Sequence, residues 1–338
     1  MKLKRGVNVG GWLSQCNYEK EHYDTFIVEK DFEKIASMGF DHARLPVDAC
    51  VLITEDGVVI ESGFAYLDNA ADWSAKYGLD LIIDLHKAYG YDFNDANTEA
   101  NSLFDNEDCK KAILNLWHII AERYGKRSNI AFELLNEVVE INLKEPWNEL
   151  SSALIREIRK VSDAPIIYGG IQWNSAMTVK YLRKPEYDNI IYTFHFYEPL
   201  IFTHQKAYWV NNMDMDRTVY YPATMEYYRE ESKKLGYQGE AAVKSGAKIM
   251  GPEFLEELIK DAISAAEKNG VPLYCGEFGV IDRAPAEDTL KWFTDVNAVF
   301  KKYDIGFCVW SYKKMDFGIT DEHYAPVIDT LIKLWGAN

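Results

Sequence analysis

The chain is short of three things, and each shortage removes a class of protein. Cysteine is scarce: Cys16, Cys50, Cys109, Cys275 and Cys308 are the five in 338 residues. An odd number without a CxxC pair does not describe a disulfide framework. Cys275 and Cys308 lie inside apolar runs and are expected to behave as small buried hydrophobes. Basic charge is also scarce, with 37 Lys and Arg against 53 Asp and Glu, a net charge of −16. A field of that sign repels phosphate backbones and excludes a nucleic-acid partner. No apolar run reaches the length needed to span a bilayer, so no membrane partner is expected. The opening MKLKRGVNVGG lacks the apolar stretch of a signal peptide. The expectation is a cytoplasmic protein, or a secreted one if a leader has been removed, and the unpaired cysteines favour the first.

What is present is apolar material for a large core: 48% of the residues are hydrophobic and 14% aromatic. Short β-branched or aromatic runs alternate with helical spacing. GVNV, HARLPV, LDLIIDLH, NIAFELLNE, APIIYGG, NIIYTFHFY, VPLYCGEFG and IGFCVWSY read as eight strands. The near-continuous apolar run in the third suits a parallel strand buried on both faces. Helical patterns over about 28–38, 64–77, 107–124, 147–161, 252–268, 288–303 and 325–335 lie between and after them. Eight strands alternating with helices predict an α/β fold, a (β/α)8 TIM barrel, as a single catalytic domain over 1–338. The connection after strand six, 198–251, is far longer than an ordinary loop. It is expected to be an inserted lid or subdomain.

Active residues in such a barrel project from the C-terminal ends of the strands. Arg44, Asp84, His86, Asn136, Glu137, His195, Tyr197, Glu277 and Trp310 all fall there. Taken singly, each has an ordinary explanation. A strand-end glutamate is commonly solvated, a single histidine is commonly structural, and one tryptophan is commonly core. Together they are too many polar groups, at one end of successive strands, to be core filling. His118, on an apolar helical face, reads as core, and His22, His42 and His323 have no evident partner.

Two carboxylates across a barrel mouth suit glycosidic bond cleavage. One must be protonated to donate to the leaving oxygen, the other ionised to attack the anomeric carbon or activate water. An arginine near one would keep it charged. A tryptophan offers a flat apolar face to a pyranose ring. A metal-dependent barrel hydrolase is the main rival, but such enzymes usually want His-x-His on strand one, where this chain has Val7-Asn8-Val9. A lyase or isomerase of phosphorylated sugars needs a glycine-rich cradle after strands seven and eight, and GEFGVIDR and WSYKKMDFG make a poor one. A non-catalytic sugar-binding barrel would be expected to lack one glutamate.

The order GVNVGGWL, RLPV, DLH, ELLNE, HFY, GEFG and VWSYKKMDFG resembles glycoside hydrolase family 5 over nearly the whole chain. FTHQKA after strand six is similar to small single-domain clostridial endoglucanases. The resemblance implies Glu137 as general acid/base and Glu277 as nucleophile of a retaining double displacement. It implies that Asn136 binds the sugar 2-hydroxyl and that Arg44 and Tyr197 orient Glu277. It further implies that His195 supports Glu137, His86 touches the sugar and Trp310 lies beneath it. Many relatives carry a second histidine where this chain has Lys87. Of the remaining aromatics, Trp209 is the one expected to reach the cleft. Trp12 and Trp173 are candidate platforms, and Tyr208, Tyr220, Tyr221, Tyr227 and Tyr228 are expected mostly as a mini-core of the insertion. The expected activity is an endo-β-1,4-glucanase on cellulose-type and mixed-linkage β-glucan, with mannan, xyloglucan and β-1,3-glucan as alternatives. It is expected to be monomeric, with no cofactor and no metal.

Overall fold

A computed structural model describes residues 1, 3–95 and 101–336. Eight parallel strands close into a barrel in sequence order. They are β1 (Arg5–Asn8), β2 (His42–Asp48), β3 (Asp80–Lys87), β4 (Ile130–Glu133), β5 (Ile166–Gly169), β6 (Ile190–Phe196), β7 (Leu273–Phe278) and β8 (Gly306–Val309). The (β/α)8 architecture is that of the sequence reading. The long helices fall at Glu29–Ser37, Glu61–Lys76, Glu107–Tyr124, Lys144–Ile158, Pro252–Asn269, Ala286–Lys302 and Ile328–Gly336. Between β5 and β6 the crossover is a 3₁₀ segment, Ala176–Tyr181, in place of a long helix.

Strand alternation sorts the side chains into two environments. On β3, Leu81, Ile83 and Leu85 pack outward into the main core under the helices. Ile82 faces the lumen, where it meets Ala131, Ile167, Tyr274 and Cys308, each from a different strand. Asp84 and His86 share the face of Ile82, so they climb the lumen towards its C-terminal mouth. The same parity puts Glu133 above Ala131 on β4. On β2 it sets Arg44 and Asp48 opposite the outward Ala43, Leu45 and Val47. The apolar plug below and the polar layer above are thus one alternation read at two heights.

The connection from β6 to Pro252 holds short helices at Leu200–Thr203, Met225–Ser232 and Glu240–Lys244. Tyr221 and Tyr228 are buried, whereas Tyr208 and Tyr220 are exposed. The buried residues of this segment belong to the same apolar cluster as the barrel and do not form a separate mini-core. Several histidines depart from the sequence reading. His118 is half-buried and pairs with Glu157 (3.0 Å). His42 is wholly buried between Asp41 and the Tyr274 hydroxyl, both at 2.6 Å. His22 reaches the Gly11 carbonyl at 2.7 Å.

Candidate active site

Arg44 organises the lumen. Its five N–H groups are all accounted for. Nε donates to Glu133 Oε2 (2.7 Å) and Nη2 to Glu133 Oε1 (3.0 Å), a two-pronged fork. Nη1 donates to Asn8 Oδ1 (2.9 Å) and Glu277 Oε1 (2.7 Å). Nη2 also donates to Asn136 Oδ1 (2.9 Å), with Asp84 Oδ2 at 3.1 Å. Burial alone would pull Arg44 down, but Asp84, Glu133 and Glu277 outweigh it and hold the guanidinium charged, well above its ordinary value.

Glu277 needs a break in strand alternation to point at the mouth. Cys275 and Phe278 both pack outward, three residues apart. The pairing of β7 with β6 and with β8 shifts register here, a bulge that re-aims the intervening residues. Gly276 fits because a Cβ there would sit 2.8 Å from Thr193 Oγ1 and 3.3 Å from His195 Nε2. Besides Arg44, Glu277 accepts from the Tyr197 hydroxyl (2.9 Å on Oε2).

Asn136 and Glu137 lie beyond the end of β4, in the loop that follows it. Glu137 has a left-handed backbone, φ 42°, a strained conformation for a residue with a Cβ. The Tyr91 hydroxyl pins this turn, donating to the Glu137 carbonyl (3.2 Å) and accepting from Val139 N (2.8 Å). Burial pushes the Glu137 carboxyl up to about 7, against the pull of Arg44 and with a smaller push from Glu133. His195 Nδ1 lies 2.7 Å from Glu137 Oε1. Burial holds His195 down to about 4, so the ring is neutral at ordinary pH. With Nδ1 as donor, Nε2 carries the lone pair and faces the Asn174 amide at 3.4 Å. Between about pH 4 and 7 the pair is therefore a neutral imidazole beside a protonated acid, and the second carboxyl oxygen is left to present the proton.

The remaining candidates line one cleft of about 730 Å³, within the size range of small-molecule sites. Glu137, Glu277, His86, Asn136, His195, Tyr197, Trp209 and Trp310 all border it, while Arg44 lies beneath. His86 donates from Nδ1 to Asp84 (2.6 Å), and its Nε2 meets the Gln15 amide (3.0 Å). Its ring lies parallel to Trp310 with centroids 5.9 Å apart. Asn136 Nδ2 is buried without a protein partner and is free to donate to a ligand hydroxyl. Trp209 is 44% exposed, edge-on to His204 and beneath the Arg283 guanidinium. Trp173 borders the cleft, but Trp12 does not: it is fully buried, stacked on Trp73 and bonded to the Tyr23 carbonyl. Lys87 is drawn away to Asp92 (2.7 Å).

Sequence reasoning missed Glu133, Gln15, Tyr91 and Asn174. Glu133 carried a signal: it has lumen parity on β4, facing an arginine with more donors than one glutamate can accept. The other three act through loops, where no periodicity points to them.

Glu137, His195 and Glu277 bring one potential ligand atom each within 4.8 Å of one another. It is the one such group among the described residues. His195 Nδ1 is already committed to Glu137, so a metal there would have to break the bond that orders the acid.

Residues 6–316 match the family model described as Cellulase (glycosyl hydrolase family 5). The chain is similar to endoglucanase C of Acetivibrio thermocellus, 42% identical over 340 residues, covering 99% of this chain and 98% of the relative. It is equally similar, at 42% over 303 residues, to cellodextrinase A of Ruminococcus flavefaciens, covering 89% and 83%. Among solved structures it resembles Thermotoga maritima Cel5A in complex with mannotriose. The TM-score there is 0.75 at 26% identity, covering 98% and 97%.

Proposed function

Since the chain belongs to glycosyl hydrolase family 5, the cellulase family, we propose that it is a retaining endo-β-1,4-glucanase acting on cellulose-type and mixed-linkage β-glucans. The observation that carries this reading is the carboxylate pair. An oxygen of Glu137 and one of Glu277 lie within 4.8 Å, close to the separation of about 5–5.5 Å used in double displacement and short of the inverting distance. Their surroundings differ in the required sense. Glu277 is held by a guanidinium and a phenol, whereas Glu137 is kept protonated by burial.

In the first step a Glu277 oxygen attacks the anomeric carbon while Glu137 passes its proton to the departing glycosidic oxygen. The bond to the leaving sugar breaks and a glycosyl–Glu277 ester forms. In the second step Glu137, now ionised, takes a proton from water. That water attacks the same carbon, releasing Glu277 and a product of retained configuration. In this reading Asn136 Nδ2 donates to the 2-hydroxyl, which its lack of a protein partner supports, and Trp310, on the cleft wall, carries the ring.

Two comparisons favour narrower readings. Similarity to a cellodextrinase supports action on short chains, and the mannotriose complex of the Thermotoga protein supports β-mannan as a second substrate. The absence of disulfides among five free cysteines supports a reducing, cytoplasmic setting.

The test is a panel of soluble polysaccharides with proton NMR early in the reaction. The β anomer is expected to appear first. An α anomer appearing first overturns double displacement, and preference for mannan over glucan overturns the substrate. Azide added to Glu277→Ala with an activated aryl glycoside is expected to give an α-glycosyl azide. With Glu137→Ala it is expected to give the β product.

A further inference from the structure

Five carboxylates border the cleft: Glu137, Glu198, Glu240, Glu277 and Asp316. Four have a cation or imidazole close by. Glu137 has His195, Glu277 has Arg44, Glu240 has Lys244 and Asp316 has Arg283. Glu198 has none among the described residues. Its carboxylate accepts one backbone N–H, from Leu200 (3.2 Å on Oε2), and Oε1 takes no protein donor. No lysine or arginine borders the cleft among the described residues. A half-buried carboxylate without a counter-ion is costly to keep charged, and its free oxygen at the cleft wall is open to a ligand's donor or cation.

Its position says which part of a ligand that is. Glu137 follows β4 and Glu277 lies on β7, so the pair divides the barrel mouth. Trp310 and His86, from β8 and β3, stand on one side. Glu198, just past β6, stands on the other with Trp173, whose backbone N–H donates to the Val138 carbonyl beside the acid (3.2 Å). Tyr237 joins them, its ring 6.4 Å from Trp173, close enough for Glu198 to act on its hydroxyl electrostatically. If the ring that forms the ester rests on Trp310, as in the reading above on which this inference depends, the departing ring lies against Glu198.

We propose that Glu198 is a specificity residue for the departing sugar: its carboxylate accepts from that ring's hydroxyls, favours a ring carrying an ammonium group, and turns away a ring carrying a carboxylate. Amino-sugar β-1,4 linkages thereby fall within the accepted chemistry, and uronate rings at this position fall outside it. Burial pushes Glu198 up to about 7. It is therefore protonated in mild acid and charged in mild base, and the selection strengthens as pH rises through 7.

The experiment uses three soluble oligosaccharides of equal length, scored by cleavage of the bond to the reducing-end ring: neutral β-1,4-glucan, the same with a C6 carboxylate on that ring, and the same with a C6 ammonium there. They compete in one vessel with the full-length enzyme at pH 6 and pH 8. A ratio of kcat/KM values within one preparation does not depend on the fraction folded. The neutral-to-carboxylate ratio is expected to rise several-fold from pH 6 to pH 8 and to fall by on the order of tenfold in Glu198→Gln at pH 8. The ammonium-to-neutral ratio is expected to fall in the same variant. Unchanged ratios in Glu198→Gln overturn the inference while leaving the hydrolase reading intact. Failure of the wild-type enzyme to cleave the neutral oligomer overturns the hydrolase reading instead.

Discussion

Glu133→Gln isolates the residue that holds Arg44. Glutamine keeps the shape of the side chain but turns one acceptor into a donor facing a guanidinium N–H. One prong of the fork is lost and the other loses its charge. Breaking a buried ion pair outright costs about 3–5 kcal/mol, and a single hydrogen bond to a charged group contributes about 1.5–3 kcal/mol. Arg44 keeps Asp84 and Glu277, so the lower range applies. If about 2 kcal/mol of that appears in the transition state, through a less firmly held Glu277, kcat/KM falls roughly 30-fold. A second consequence is specific to position. Glu133 is one of the groups that raise Glu137, so removing its charge lowers the Glu137 pKa. The alkaline limb of the rate profile then moves to lower pH. The assay is kcat/KM against pH on a soluble oligosaccharide, with circular dichroism to establish the fold. The limb position does not depend on the active fraction, so partial unfolding cannot imitate its shift. A variant within about threefold of wild type with an unmoved limb would refute the positioning role.

Three further outcomes are expected. In the proposed mechanism Glu137 must be protonated to act on the leaving oxygen, and its folded pKa is raised to about 7, so activity is expected to be lost as pH rises through 7. A limb near pH 5 would mean that burial does not govern this acid. Trp209→Ala is expected to lower kcat/KM roughly 5- to 30-fold on oligosaccharides, from about 1–2 kcal/mol of stacking, with much smaller loss on short aryl glycosides. Equal loss on both would place the defect at the reaction centre or in folding. Chelation is expected to leave turnover unchanged, because His195 Nδ1 serves Glu137. Loss on chelation that a divalent ion restores would move the protein to the metal-hydrolase class.

The barrel was legible because it is written twice, in strand runs and in the helical spacing between them. The limits of the seven long helices came within three residues of those expected. The 3₁₀ crossover before β6 offered no helical period to find. The site was legible for a different reason. His86, Asn136, Glu137, His195, Tyr197, Glu277 and Trp310 lie at or just beyond a strand's C-terminal end, so knowing the strands was enough to gather them around one cleft, whereas Arg44 sits in the first half of β2 and reaches the group from beneath. What stayed hidden depends on contact between distant segments. His42 finds Tyr274 across 232 positions, and Gln15 finds His86 across 71. Trp12 follows a strand as a platform would, yet the turn after β1 folds it inward onto Trp73.

Glu277 shows why parity alone would have misled. Strict alternation from Cys275 sends it outward, into apolar packing where a carboxylate cannot stay charged. The bulge at Gly276–Glu277 reverses that, and the glycine is what lets the bulge pass His195. A side chain at 276 would push on Thr193 and His195 together, displacing the partner of Glu137 by the same movement that displaces Glu277. The two carboxylates are thus coupled through one small residue between them. Their separation, on which the stereochemical outcome rests, is set by backbone geometry as much as by the charges on Arg44.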